Sequence, residues 1–358
     1  MHPGSAPMPA VIAAQLREGG VFPAHPLALD AARKLDVRRQ RALSRYYLDA
    51  GAAGLAVGVH TTQFAIRDAG LYEPVLALAA ETAADWSARP VVMIAGVVGR
   101  TAQALAEARA ARGLGYHAAL LSLADFRPNP GAAFDEDAAL EHCAAVADVL
   151  PLIGFYLQPA VGGVALPTSF WRRFAGIDNV VAIKVAPFDR YRTLDVLRGV
   201  AEADASDRVT LLTGNDDHIL LDLLTRYTVR SGGAEQVMRF AGGLLGQWCV
   251  WTRRAVELCA RARAAADAGM VPAELLSLDS RLTQANAAIF DAAHGFHGVI
   301  AGCHHVLHRQ GLLAETWCLD PAEGLSVGQQ ALIERAGRDF PELTDDDFVA
   351  ANLERWMS

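Results

Sequence analysis

Residues 180–190 read VVAIKVAPFDR, an apolar run interrupted by one lysine. Val180 to Ile183 lead into Lys184, and Val185, Ala186 and Pro187 follow, the composition of a buried strand. Desolvating an ammonium is costly. The lysine therefore either reaches water at the strand end or is held partly neutral, and a neutral amine is a nucleophile toward carbonyl carbon. Such an amine condenses with a ketone to give a protonated imine, an electron sink for making or breaking the adjacent carbon–carbon bond. The step needs a proton shuttle, which the hydroxyl of Tyr156 in LIGFYLQP can supply from a neighbouring strand. A 2-oxo acid also needs its carboxylate held, and the hydroxyls and amides of a strand-to-helix turn such as His60-Thr61-Thr62 suit that task. Lys184, Tyr156 and the Thr61-Thr62 pair are thus expected as imine former, proton relay and carboxylate cradle.

Short β-rich runs alternate with helical patterns from Gly20 onward. The expected strands are VFPAHP (21–26), LAVGV (55–59), VVMIAG (91–96), AALLS (118–122), LIGFYL (152–157), VVAIKV (180–185), VTLLTG (209–214) and VMRFAG (237–242). Between them, residues 36–50 begin at Asp36, a good N-cap, and TAQALAEARAARG (101–113) begins at Thr101 and ends at Gly113. Apolar strands without alternation are buried on both faces, as parallel strands covered by helices are. Eight such units predict an α/β fold, a (β/α)8 TIM barrel over 20–245, preceded by an N-terminal extension (1–19) and followed by a C-terminal helical region (246–358) packed on the barrel. In that fold function gathers at the C-terminal ends of the strands. Lys184, Tyr156, His60 to Thr62 and Asn215 to Asp217 all fall there.

A formal net charge of -8 without a basic run argues against a nucleic-acid partner. The five cysteines are dispersed with no C-x-x-C pair, which suits free thiols in a reducing compartment. Neither a signal peptide nor an apolar stretch of membrane-spanning length is visible, so a cytoplasmic protein without a membrane partner is expected.

The residues resemble the dihydrodipicolinate synthase / N-acetylneuraminate lyase family of class I, Schiff-base aldolase-type enzymes, which are (β/α)8 barrels. VAIKVAP matches the family's strand-six lysine motif at Lys184, YLQP its strand-five Y-N-x-P motif at Tyr156 and Pro159, and TGNDD (213–217) its G-D-D-like turn. The family's G-(S/T)-T-G-E turn after strand two stands here as HTTQF, and two registers fit, one aligning Thr61-Thr62 and one aligning His60-Thr61. The arginine that follows Y-N-x-P in dihydrodipicolinate synthases is missing from AVGGVALP, and their second tyrosine is matched by Phe126 or its neighbours. The resemblance therefore implies a lyase, aldolase or dehydratase on pyruvate or a related 2-oxo acid, other than the lysine-biosynthetic reaction. It needs no metal or organic cofactor and has homodimers or homotetramers as precedent.

Weaker candidates stand beside these. Gly162 and Gly163 could let backbone approach a ligand, and Asn215 could bind one, although Asn215, Asp216 and Asp217 also suit a turn and cap. Arg100 opens a helix and could meet an anion. The stretch HGFHGVIAGCHHVLHRQ places His304 and His308 one helical turn apart near His294, His297 and Cys303, which keeps a metal-assisted hydro-lyase as one alternative. The other is a metabolite-binding barrel without turnover.

Overall fold

The computed structural model describes residues 7–358, so residues 1–6 of the expected N-terminal extension lie outside the described residues. Seven parallel strands follow the expected order: β1 (Val21–Pro23), β2 (Gly54–Val57), β3 (Val92–Val97), β4 (Ala118–Leu121), β5 (Leu152–Leu157), β6 (Val180–Ala186) and β7 (Thr210–Thr213). The next two, β8 (Tyr227–Ser231) and β9 (Ala234–Met238), pair antiparallel as a separate hairpin. The barrel's eighth strand is β10 (Gly242–Leu245), which lies between β7 and β1. A bridge from Ala24 to Ala56, with the His25 amide donating to the Ala56 carbonyl at 2.8 Å, joins the two ends of the sheet. The expected (β/α)8 barrel is thus present, but VMRFAG is not its last strand.

The reason is steric. A Cβ on Gly242 would sit 2.1 Å from the Gly20 carbonyl oxygen, so the strand that closes the barrel there has to be glycine-rich. GGLL carries little strand propensity, whereas the neighbouring VM pair carries more and is spent on the hairpin.

Helices α1 (Ala10–Glu18), α2 (Val37–Ala50), α3 (Tyr72–Trp86), α4 (Thr101–Gly113), α5 (Glu136–Ala147), α6 (Thr168–Ala175), α7 (Arg190–Glu202) and α8 (Ile219–Leu224) accompany the strands. The side chain of Asp36 caps α2 by accepting from the Arg39 amide at 3.0 Å. Thr101 is the first helical residue of α4 and not its cap; Arg100 holds the cap position, and the Thr101 hydroxyl meets His142 Nδ1 at 3.0 Å. Then come α9 (Thr252–Ala268), α10 (Ala273–Ile289), α11 (Val299–Arg309), α12 (Gln329–Asp339) and α13 (Asp346–Met357). α9 packs on β1, α2 and α8, where the eighth helix of a barrel belongs, and α13 lies on α2. There the Tyr46 hydroxyl donates to Asp345 at 2.8 Å and accepts from the Thr252 amide at 2.7 Å, while buried Trp356 donates to Asp49 at 2.6 Å.

Two apolar cores result. Phe22, Ala56, Ile94, Ile153, Ala182 and Leu244 fill the barrel, plugged at its N-terminal end by Ile12 and Leu16 of α1. The larger core lies between strands and helices and takes the alternate residues, including Ile183 and Val185 of β6 and Tyr156 of β5. Among the described residues no helix is long and apolar enough to cross a membrane, and all five cysteines are buried free thiols.

Candidate active site

Lys184 stands in the barrel's interior series, two residues beyond Ala182 and two before Ala186, and pairs across the sheet with Phe155 and Leu212. Its Nζ lies 4.4 Å from the centre of the Phe155 ring, and only 8% of the residue is exposed. The side chain fits because residue 214 is glycine, since a Cβ there would come within 2.8 Å of Lys184 Cε. Burial lowers the amine's pKa from 10.5 to about 8, a shift that the Asp216 carboxylate opposes. Asp216, just past β7, accepts from the Gln247 amide at 2.9 Å, and burial raises its pKa to about 7 against the pull of Lys184. Each charge favours the other, but desolvation prevails at both.

A pocket opens over this pair at the C-terminal ends of the strands. His60, Thr61, Gln158 and Cys303 are its other polar lining residues, and Phe155, Leu157, Phe188, Phe290, Phe296 and Ile300 are among its apolar ones. His60 and Thr61 belong to the short 3-10 turn His60–Thr62 after β2. Burial, and then the charge of Lys184, lower the His60 pKa to about 4, so its imidazole is neutral at physiological pH. Lys184, His60 and Thr61 are therefore brought together as expected.

The remaining candidates are not. Tyr156 follows Phe155 on the same strand and so points to the opposite face. Its ring packs 5.2 Å from that of Trp171, and its hydroxyl accepts from the Leu166 amide at 3.2 Å and donates to the Leu166 carbonyl at 3.3 Å. It does not line the pocket, which corrects its expected place beside the lysine. Thr62 is fully buried below the turn, where its hydroxyl donates to the His25 carbonyl at 2.7 Å and accepts from the Gly58 amide at 2.9 Å. It secures the turn and leaves Thr61 to face the pocket. Asn215 lies behind the wall, its Oδ1 accepting from the Phe188 amide at 3.0 Å and its Nδ2 donating to Asp222 at 2.9 Å. Gly162 has φ 102° at the end of an open turn with nothing near it, and Gly163 approaches the Leu157 carbonyl and no ligand site.

Gln63 has φ 68°, a backbone conformation that glycine adopts without strain. That favours the register aligning Thr61-Thr62 with the family's hydroxyl pair, and places Gln63 at its glycine and Phe64 at its glutamate. The histidines of the C-terminal region disperse. His294 pairs with Asp291 at 2.6 Å, His305 approaches Glu334 at 3.6 Å, and His304 is buried and neutral with a pKa of about 4. Among the described residues no group of three His, Cys, Asp or Glu side chains could hold a metal ion. The Arg100 guanidinium stacks on Phe126 at 4.5 Å.

Sequence reasoning assigned Asp216 to a turn and missed Gln158, Phe188 and the pocket's C-terminal wall. The position of Asp216 at a strand end was the available signal. Phe290, Phe296 and Cys303 carry no local motif and reach the pocket only through the packing of α10 and α11.

The profile of the Dihydrodipicolinate synthetase family matches residues 17–235. The chain belongs to this family. Members of the dihydrodipicolinate synthetase family with solved structures have the same fold. The pyruvate complex of the chloride-inhibited dihydrodipicolinate synthase from Acinetobacter baumannii is 19% identical, with a TM-score of 0.71 over 90% of this chain and 98% of that one. Dihydrodipicolinate synthase from Thermotoga maritima is 20% identical (TM-score 0.71, 90% and 99% covered). The mannosamine complex of CdNal from Clostridium difficile is 15% identical (TM-score 0.71, 90% and 99% covered). No curated protein matches the sequence. The dihydrodipicolinate synthetase family includes class I aldolases and lyases that use pyruvate, and its profile spans β1 to β7 but ends before β10 and the segment between α10 and α11 that supplies Phe290 and Phe296.

Proposed function

We propose that this protein is a Schiff-base-forming lyase or aldolase acting on pyruvate or a related 2-oxo acid. The observation that carries the proposal is a single amine, Lys184, buried at the floor of the pocket with its pKa lowered to about 8. At neutral pH about a tenth of it is free amine, far more than an exposed lysine offers. That amine attacks the C2 carbonyl. The carbinolamine oxygen leaves as water after protonation, and the resulting iminium withdraws electrons from the bond to C3. Asp216, whose carboxyl stays protonated up to about pH 7, is suited to deliver the proton to the departing oxygen. Neutral His60, at the pocket wall beside Lys184, is suited to take and return the C3 proton. Thr61 is the lining hydroxyl available to the substrate carboxylate. These roles replace the relay first expected of Tyr156. A cytoplasmic location and assembly into homodimers or homotetramers belong to the same proposal.

Borohydride reduction in the presence of pyruvate tests it directly. The reduced adduct is expected on the peptide containing Lys184 and absent from Lys184→Ala. A full panel of 2-oxo acids that leaves that peptide unmodified overturns the proposal. Adduct formation without turnover of any aldol or dehydration substrate would assign the protein to metabolite binding instead.

A further inference from the structure

We infer that the group carried beyond the imine, whether as the substituent on the 2-oxo acid or as the aldehyde joined to it, is an aryl group. The inference rests on the Schiff-base proposal and concerns the apolar part of the same pocket. There the lining turns from polar to aromatic, with Phe188, Phe290 and Phe296 joined by Val161, Leu157 and Ile300. Lys184 is the only lysine or arginine among the pocket's lining residues. A second carboxylate on the substrate would therefore find no cation and would face Asp216. A chain of hydroxyls would find Gln158 as its main side-chain partner, and each hydroxyl left without a partner would oppose binding.

The aromatic wall is also held in place at a cost. Phe188 and Phe296 have φ of 52° and 70°, in the left-handed region that residues with bulky side chains rarely enter. Their rings meet edge to face, 5.9 Å apart at 81°, and both residues stay partly exposed, so apolar surface is left for a ligand to cover. Buried polar groups hold each backbone. Asn215 accepts from the Phe188 amide at 3.0 Å. Asp291, itself at φ 56°, accepts from the Gly298 amide at 3.0 Å and so closes the loop that carries Phe296. Phenylalanines that only filled a core would not need two strained residues with anchors behind them. A preformed slot for a flat ring does, because fixing its walls beforehand removes part of the entropy cost of binding.

The test is borohydride trapping with pyruvate, benzylpyruvate and 2-oxoglutarate, each titrated to half-saturation and mapped to Lys184 by mass spectrometry. Benzylpyruvate is expected to half-saturate at a concentration about 10-fold or more below that of 2-oxoglutarate. In Phe296→Leu and Phe188→Leu that ratio is expected to shrink several-fold. Two separate variants are used so that misfolding of one leaves the other to report. Trapping of pyruvate at Lys184 with no preference for benzylpyruvate over 2-oxoglutarate overturns the aryl assignment alone. Absence of any adduct at Lys184 overturns the Schiff-base proposal and the aryl assignment with it.

Discussion

At the scale of single residues, the proposed chemistry depends on how much of Lys184 is free amine. Its pKa is lowered to about 8, while Asp216, the acid proposed to expel the carbinolamine oxygen, loses its proton near pH 7, so the initial rate of imine trapping should rise toward that range and fall above it. The Asp216 carboxylate favours the ammonium, so Asp216→Asn should slow trapping by removing the acid, abolish the fall at high pH, and move the midpoint of the rising limb to lower pH. Trapping rates across a pH series at constant ionic strength check both the midpoint and the direction of its shift; an unmoved midpoint would show that Asp216 does not act on the amine. Tyr156 gives the opposite kind of prediction. Tyr156→Phe removes a buried hydroxyl shared between the Leu166 amide and carbonyl, and should lower stability by about 1 to 3 kcal/mol. Lys184 should still be trapped by pyruvate in that variant, and loss of trapping in a folded protein would return Tyr156 to the reaction. The YLQP spacing could not reveal this, because neighbouring residues of a strand face opposite ways and register decides which one looks inward. Phe155, and not Tyr156, pairs with Lys184.

At the scale of elements, the lysine is placed by the strands on either side of it. Gly214 follows β7 and leaves the space that the Lys184 side chain occupies. Gly214→Ala should cost about 1 to 3 kcal/mol by overpacking and slow imine trapping at least as strongly as it lowers the unfolding midpoint. Chemical denaturation and trapping kinetics on the same preparation check this, and normal trapping would mean the side chain has another route into the pocket. The first seven strands and the helix starting after Asp36 were legible in the sequence, because buried parallel strands are continuous apolar runs and a side-chain cap is local. The eighth strand was not, since β10 is glycine-rich for contact with Gly20 while Val237 and Met238 read as strand and form a hairpin instead. Lys184 and the turn at His60 and Thr61 were legible for the same local reason. The aromatic wall was not, because nothing in the spacing of Phe188, Phe290 and Phe296 announces that they converge.

At the scale of the whole molecule, the C-terminal helices are part of the barrel's support. Trp356 of α13 is fully buried, its ring 5.4 Å from that of Tyr46 on α2. Trp356→Ala should lower stability by about 3 to 5 kcal/mol, read as a drop in the urea midpoint. A change near zero would show that α13 docks without stabilising the barrel.

Lys184, His60, Thr61 and Asp216 all lie before residue 217, whereas Phe290 and Phe296 lie beyond the last barrel strand. The amine proposed to capture a carbonyl and much of the surface proposed to select its substituent therefore lie on separate stretches of chain. On that proposal, substitutions confined to residues 290–303 retune which molecules enter while Lys184 keeps its place on β6. Two homologues with the same lysine strand can then serve different substrates, and assigning an activity from the barrel alone would give both the same one.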